Sequence, residues 1–337
     1  IQLMHGTAAS IYVFDLQLSF RFIRIMQPLK KADIKTGFLC NSNCRFCVQG
    51  DKKKALGNKS TSELKGIIQE ASRDCEIIVF TGGEVTVRED FLELVQYARQ
   101  FKFRTIQIQS NARAFANEEF CKNVIDAGPN EFALALHGHT PELHNYLTQG
   151  QGFKQTVRGI WNLKKMNQMV LVNVVVTKPN YRHLPDIVKL LVGLDVDQIQ
   201  LAFVHALGAA AKNFDSIVPR MTLVMPYVMK GIRIARYFNK NIVTEAIPYC
   251  LMQGCEDCIS ERIMPDMKIF ECDYVISDFT MARREIGKLR GPNCLQCRHF
   301  DVCEGVWKEY PEAFGWDEFL PIKKGGNSHA RISSRSS

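Results

Sequence analysis

The chain has 337 residues, 46% of them hydrophobic, enough to bury a sizeable core in one large α/β domain with an appendage. Its twelve cysteines do not read as a secreted disulfide scaffold, because such scaffolds are short and no secretory leader is read at the start; no apolar run reaches the roughly 20 residues of a membrane-spanning helix. The formal charge of +8 owes much to Lys323, Lys324, Arg331 and Arg335, and no basic stripe interleaved with aromatics occurs elsewhere, so nucleic acid and membrane are not expected partners and a cytoplasmic setting with reduced thiols or metal ligands is.

In chain order, residues 1–33 read as an N-terminal extension, apolar and irregular, beginning with Ile and compatible with a start at Met26. Short β-branched runs then alternate with amphipathic patterns, the signature of βα units around a parallel sheet. Strands are expected at Ile34 to Leu39, Glu76 to Thr81, Thr105 to Gln109, Glu131 to Leu136, Val170 to Thr177 and Gln198 to Phe203. Between them, Ser60 with Glu63 and Thr86 with Glu89 fit capping boxes, Phe91, Leu94, Val95 and Ala98 make one apolar helical face, and helical patterns recur at Asp186 to Leu191 and Leu223 to Tyr237. Lys52, Lys53 and Lys54 read as a solvated loop. Six βα units fall short of a closed eight-unit barrel, so the expected fold is α/β, a partial (β/α)6 TIM-like barrel over residues 34–240. From about Ile242 the rhythm gives way to short strands, loops and cysteines, which sets a small cysteine-rich α+β domain over residues 241–322 and a flexible tail over 323–337.

Cys40, Cys44 and Cys47 form a CxxxCxxC motif between the first strand and the first helix. Loops at strand C-termini build the active sites of α/β barrels, so three thiolates there converge on one centre facing the cavity. Three soft ligands suit an iron-sulfur cluster with one iron left open; a structural zinc knuckle needs a fourth ligand, and the nearest His is distant in sequence.

The motif, its position and Phe46 before the last cysteine resemble the radical SAM superfamily. The resemblance implies an enzyme whose three cysteines hold a 4Fe-4S cluster, with S-adenosylmethionine (SAM) chelating the fourth iron and reductive cleavage yielding a 5′-deoxyadenosyl radical that abstracts a substrate hydrogen. It also implies a low-potential electron donor, flavodoxin or ferredoxin. Other segments sit in the order this family shows. Gly82, Gly83 and Glu84 follow the second strand, where the resemblance assigns the SAM amino group, with Glu84 suited to accept from an ammonium. Ser110 and Asn111, after Gln109, offer polar groups at the barrel mouth, and their place in the family's order implies contacts to SAM. His137, with His139 and His144 nearby, and His205, at the end of the sixth strand, are expected to line the SAM or substrate pocket. Asn173 reads equally well as a residue that satisfies a neighbouring loop.

A second cluster, Cys294, Cys297 and Cys303, precedes an aromatic-rich stretch with Trp307, Tyr310, Trp316 and Phe319. It resembles the shortened SPASM or twitch domain that carries an auxiliary cluster in many radical SAM enzymes, which implies ligation of at least one auxiliary 4Fe-4S cluster by Cys250, Cys294, Cys297 and Cys303. Cys255, Cys258 and Cys272 leave the cluster count open, and Cys255 with Cys258 keeps a zinc ribbon in view. Cys75 and Cys121 read as ordinary buried residues. Enzymes of this two-part plan act on peptides, proteins and small molecules. Modification of a peptide or protein, as by a maturase, is favoured over the cyclase of molybdopterin-precursor synthesis, since Gly325 and Gly326 do not end the chain as that cyclase's paired glycines do. A non-catalytic iron-sulfur electron carrier or a zinc module is the alternative class, against which Gly82 to Glu84 argues.

Overall fold

The computed structural model describes residues 30–323 apart from 51 and 53–55. Lys53, Lys54, the stretch up to Met26, and Lys324, Gly325, Gly326, Arg331 and Arg335 lie outside the described residues. The parallel sheet is built by β1 (Lys30–Lys35), β2 (Ile77–Thr81), β3 (Thr105–Ser110), β4 (Glu131–Ala135), β5 (Val170–Val176), β6 (Gln198–Phe203), β7 (Asn241–Glu245) and β8 (Asp266–Phe270). A two-residue strand, β9 (Val275–Ile276), pairs antiparallel with β8. The order β7-β6-β5-β4-β3-β2-β1-β8-β9 leaves β7 and β9 as edges, so the sheet does not close, in keeping with a partial barrel.

β1 and β3 alternate apolar with polar residues, whereas β2 is apolar nearly throughout. Ala32 and Ile34 in β1, Ile78 and Phe80 in β2 and Ile106 and Ile108 in β3 are buried with Leu64, Ile68, Leu94, Val95 and Ala98 of the helices α1 (Thr61–Ala71) and α2 (Phe91–Arg99) in one apolar core. The intervening positions of β1 and β3 are polar, while β2 places Ile77 and Val79 there. Asp33 pairs with Lys35 at 2.8 Å, and Gln107 with Glu131 and Gln200 with Glu245 hydrogen-bond across neighbouring strands. A polar face opposite the helices is what a ligand-binding concavity needs and what a fully apolar barrel filling would deny.

Helices α3 (Glu118–Ala127), α4 (Pro141–Thr148), α5 (Phe153–Lys165), α6 (Leu184–Gly193) and α7 (Met221–Tyr237) complete the barrel's outer layer. Ser60 and Glu63 cap α1 reciprocally, as expected. Thr86 and Glu89 do not form a box: Thr86 lies inside a 3-10 turn (Val85–Val87) capped by Glu84, and α2 starts only at Phe91. The first strand also differs from expectation. It runs from Lys30 to Lys35, and the apolar stretch Gly37-Phe38-Leu39 is a loop, because Gly37 adopts φ +145° and packs its backbone against Asn58. The six expected strands are all present, but β7 and β8 extend the sheet beyond them. Their connection carries 3-10 turns instead of an amphipathic helix, which hides the βα rhythm.

After β9 the chain forms the two-stranded ribbon β10 (Lys288–Leu289) with β11 (Val306–Trp307) and the helix α8 (Glu309–Phe314). Among the described residues no helix is long and apolar enough to cross a membrane.

Candidate active site and cysteine clusters

The loop bearing Cys40, Cys44 and Cys47 leaves β1 and is held from three directions. From β2, Gly83 N donates to Gly37 O and Glu84 N to Leu39 O, both at 2.8 Å. From α4, the carbonyls of Thr148 and Leu147 accept from Asn43 N (3.0 Å) and Arg45 N (2.9 Å). From the segment after β6, Ala209 N donates to Cys47 O at 2.9 Å and Asn213 Nδ2 to Arg45 O at 3.1 Å. The glycine pair is a packing requirement here: a Cβ on Gly83 would lie 2.1 Å from Leu39 O, and one on Gly82, at φ +125°, 2.3 Å from Gly37 O. The three thiols are half-buried at the C-terminal end of β1, close enough to solvent to accept iron and close enough to the fold to be oriented by it.

Glu84 departs from its expected role. It is 3% exposed, and its carboxylate accepts from Thr86 N, Thr86 Oγ1 and Ser110 Oγ on one oxygen and Asn111 N on the other. A buried carboxylate with four donors is committed to joining the β2 and β3 turns, not left to meet an ammonium. Ser110 is committed too, since its Oγ also accepts from Ala112 N at 3.0 Å. Asn111 reaches the cysteine loop directly, Nδ2 donating to Asn41 Oδ1 at 2.6 Å. Arg113, not singled out from the sequence, donates to Asn41 O at 2.6 Å. The density of Asn in Cys40–Asn41–Ser42–Asn43–Cys44 is the signal that such partners exist.

His137 does not line a pocket. Only 4% exposed, it packs edge-on against Phe46 at 4.6 Å, its Nδ1 accepts from Val175 N at 3.2 Å, and its ring stacks over His144. Burial, with the neighbouring His144, pushes its pKa down to about 3, so it is a neutral prop beneath the cysteine loop. His144, whose Nδ1 accepts from His137 N at 3.3 Å, is pushed to about 4 by burial and by Arg113. His205 meets the C-terminal segment: its ring stacks on Trp307 at 3.8 Å and Nε2 lies 3.2 Å from Glu309. Asn173 Oδ1, in β5, is buried with no hydrogen-bond partner.

In the C-terminal segment Cys250, Cys294, Cys297 and Cys303 line one cavity together with Tyr249 and Trp316. Cys250 sits in a 3-10 turn after β7, Cys294 and Cys297 at a turn opened by Pro292, and Cys303 just before β11. All four are free thiols. Burial pushes Cys250 up to about 12, with Cys303, Cys294 and Cys297 adding to the rise, and Cys294 and Cys303 are raised too. Four thiols around an apolar-walled cavity, with Cys250, Cys294 and Cys303 harder to ionise for their burial and their neighbours, form a donor set that a cationic iron-sulfur or zinc centre satisfies and water does not. Cys255 and Cys258 are outside this cavity, against the Arg236 guanidinium at 3.6 and 3.4 Å, and Cys272 lies beside Lys59 after β8. Cys75 and Cys121 are buried, their thiols pushed up to about 12 and about 11 by desolvation. Lys52 is more than loop: it pairs with Glu271 at 2.7 Å.

Residues 34–191 match the Radical SAM superfamily. Among curated proteins, the chain is 23% identical over 265 residues to the probable GTP 3',8-cyclase of Metallosphaera sedula, covering 74% of this chain and 83% of that one. It is 29% identical over 183 residues to the AdoMet-dependent heme synthase of Oleidesulfovibrio alaskensis, covering 53% and 43%. Among solved structures, Streptococcus suis SuiB bound to S-adenosylmethionine superposes with a TM-score of 0.59 at 14% identity over 83% of this chain and 73% of that one. A second SuiB structure gives 0.57 at 16% identity over 82% and 65%, so the chain spans about two thirds of that neighbour's length. At these identities the structural likeness is one of fold.

Two outcomes follow from the geometry. Gly83→Ala should displace the cysteine loop, so that anaerobically reconstituted protein loses most of the iron held there while its far-UV circular dichroism is preserved; full iron content would refute the latch. For His144, a folded pKa of about 4 below the ordinary 6.5 means stability that is complete above pH 6.5 and lost as pH falls toward 4. His144→Asn keeps an acceptor for His137 N without titrating, so its melting temperature should fall less across that window than that of the parent; parallel curves would contradict this.

The cysteine loop, the glycine turn latched to it, the open parallel sheet and the family match agree: the chain is an enzyme of the radical SAM superfamily, a membership that implies SAM and a 4Fe-4S cluster as cofactors.

Proposed function

We propose that the enzyme holds its SAM-binding 4Fe-4S cluster on Cys40, Cys44 and Cys47 and an auxiliary 4Fe-4S cluster on Cys250, Cys294, Cys297 and Cys303. When bound and reduced, the first cluster supplies the electron that cleaves SAM into methionine and a hydrogen-abstracting 5′-deoxyadenosyl radical. The chain's part is to position and to exclude. Gly82 and Gly83, lacking side chains, let the cysteine loop pack against the β2 turn, whose backbone groups are where the family resemblance places SAM's amino group. Glu84 holds the β2 and β3 turns in register, and Asn111 and Arg113 fix the cysteine loop through Asn41. The sheet starts at Lys30 and takes in β7 and β8, so the barrel runs past the boundary at residue 240 expected from the sequence; it and the cysteine-rich segment that follows are two parts of one catalytic body, fed by a low-potential flavodoxin or ferredoxin.

For the substrate, a polar small molecule is favoured over the peptide expected from the sequence. The observation that carries this is the buried Asn173 Oδ1, which has no hydrogen-bond partner, on the sheet face that also carries the cross-strand pairs Gln107–Glu131 and Gln200–Glu245. The cyclase relatives, matched over most of their length, support a nucleotide such as GTP. Peptide modification is the second reading, supported by the likeness to SuiB, a structure of which is bound to precursor peptide SuiA.

Reconstituted enzyme with dithionite and SAM should form 5′-deoxyadenosine, and the Cys40→Ala, Cys44→Ala, Cys47→Ala variant none, by mass spectrometry. The Cys250→Ala, Cys294→Ala, Cys297→Ala, Cys303→Ala variant should keep this cleavage with iron falling from roughly eight to roughly four atoms per chain. GTP should raise the yield several-fold over SAM alone; stimulation by a precursor peptide and not by GTP would favour the second reading, and no product from fully iron-loaded enzyme would sink the proposal.

A further inference from the structure

A third group of ligating side chains lies apart from both cysteine clusters. His139, on the loop after β4, meets His183 and Asp186, at the start of α6: one ligand atom from each falls within 4.8 Å of the other two, and the imidazole centroids are 5.2 Å apart. We propose that His139, His183 and Asp186 form a divalent-cation site that takes Zn2+ through two imidazoles and one carboxylate, with a further position open to water.

The local chain geometry prepares this. His183 is the residue before the first helical position of α6 and Asp186 is three further on, so both project from one face of the first turn, which Pro185 stiffens. The β4 and β5 loops are tied together by the buried Asn180, whose Nδ2 donates to His137 O at 3.0 Å and to Val175 O at 2.8 Å while its Oδ1 accepts from Thr177 N at 2.7 Å. That clamp lies two residues before His139 and three before His183, which fixes the distance between the two imidazoles.

An independent observation points to a ligand. His139 Nδ1 is buried with no hydrogen-bond partner, a cost that a bound cation or its water removes. Three ligands on one Zn2+ stand about 3.4 Å apart. Closing from 4.8 Å therefore asks for rotamer adjustment only, and His183 is exposed and able to make it. The competitor is Lys189, which pairs with Asp186 at 3.1 Å on the surface and is readily displaced. Two neutral nitrogens and one carboxylate with an open position suit Zn2+ better than Mg2+ or Ca2+, which favour all-oxygen shells.

The test uses the full chain with its iron-sulfur clusters already loaded, so that the seven cluster cysteines are occupied, and carries Cys255→Ala and Cys258→Ala to remove the remaining CxxC pair. Zn2+ titrated calorimetrically should bind with one-to-one stoichiometry, at least tenfold more weakly in His139→Ala and Asp186→Ala and more tightly in Lys189→Ala. Co2+ in place of Zn2+ should give ligand-field bands without a sulfur-to-cobalt charge-transfer band. No binding up to about 1 mM, binding unchanged by all three substitutions, or a thiolate band tracking the bound cobalt would overturn the site.

Discussion

The architecture of the active site depends on the backbone contact between the turn after β2 and the loop after β1. Gly83 N and Glu84 N donate to Gly37 O and Leu39 O, and the approach is possible only because residues 82 and 83 have no Cβ. This contact fixes where Cys40 begins its turn. Glu84 then extends the order sideways, its buried carboxylate gathering Ser110 Oγ and Asn111 N from the neighbouring strand end, and Asn111 closes the circuit by donating to Asn41 between the first two cysteines. Backbone, carboxylate and amide thus form one continuous network from β1 to β3. Preorganisation of this kind spares a catalytic site the entropy of ordering its ligands during turnover.

The cysteine-rich segment is joined to the barrel by a different physics. Glu304, beside Cys303, takes a two-point contact from Arg283 at 2.8 and 2.7 Å and another from Lys288 at 2.9 Å; Lys288 also reaches Glu261 at 2.7 Å, and Glu261 accepts from Ala246 N just after β7. Buried ions contribute little net stability, but an arrangement in which each has its partner disfavours any other register of the segment. The His205–Trp307 stack and the Tyr310 hydroxyl accepting from Met221 N at 2.7 Å add apolar and hydrogen-bonded anchors at the other end. Together these hold the segment with Cys294, Cys297 and Cys303 against Cys250 in the turn after β7.

Much of this was legible in the chain because it is local. CxxxCxxC carries its ligand spacing within eight residues, Ser60 and Glu63 carry a helix start within four, β3, β4 and β6 carry their own alternation, and β2 and β5 are apolar β-branched runs. What escaped was non-local. Gly37-Phe38-Leu39 has the apolarity of a strand, yet its conformation is decided by Asn58 and the β2 turn. Glu84 and His137 resemble ligand contacts until their partners, Asn111 and Val175, arrive from other strands and bury them. β7 and β8 were hidden because no amphipathic helix separates them, and the convergence of Cys250 with Cys294, Cys297 and Cys303 followed from a resemblance, since sequence spacing alone does not bring position 250 to position 294.

The central claim is that the three thiols held by this latch present a cluster with one iron open to SAM. Electron paramagnetic resonance of the dithionite-reduced variant lacking Cys250, Cys294, Cys297 and Cys303 isolates that cluster. Addition of SAM should shift its g values, as direct ligation to an open iron requires. A reduced four-iron signal left unchanged by saturating SAM would contradict the account.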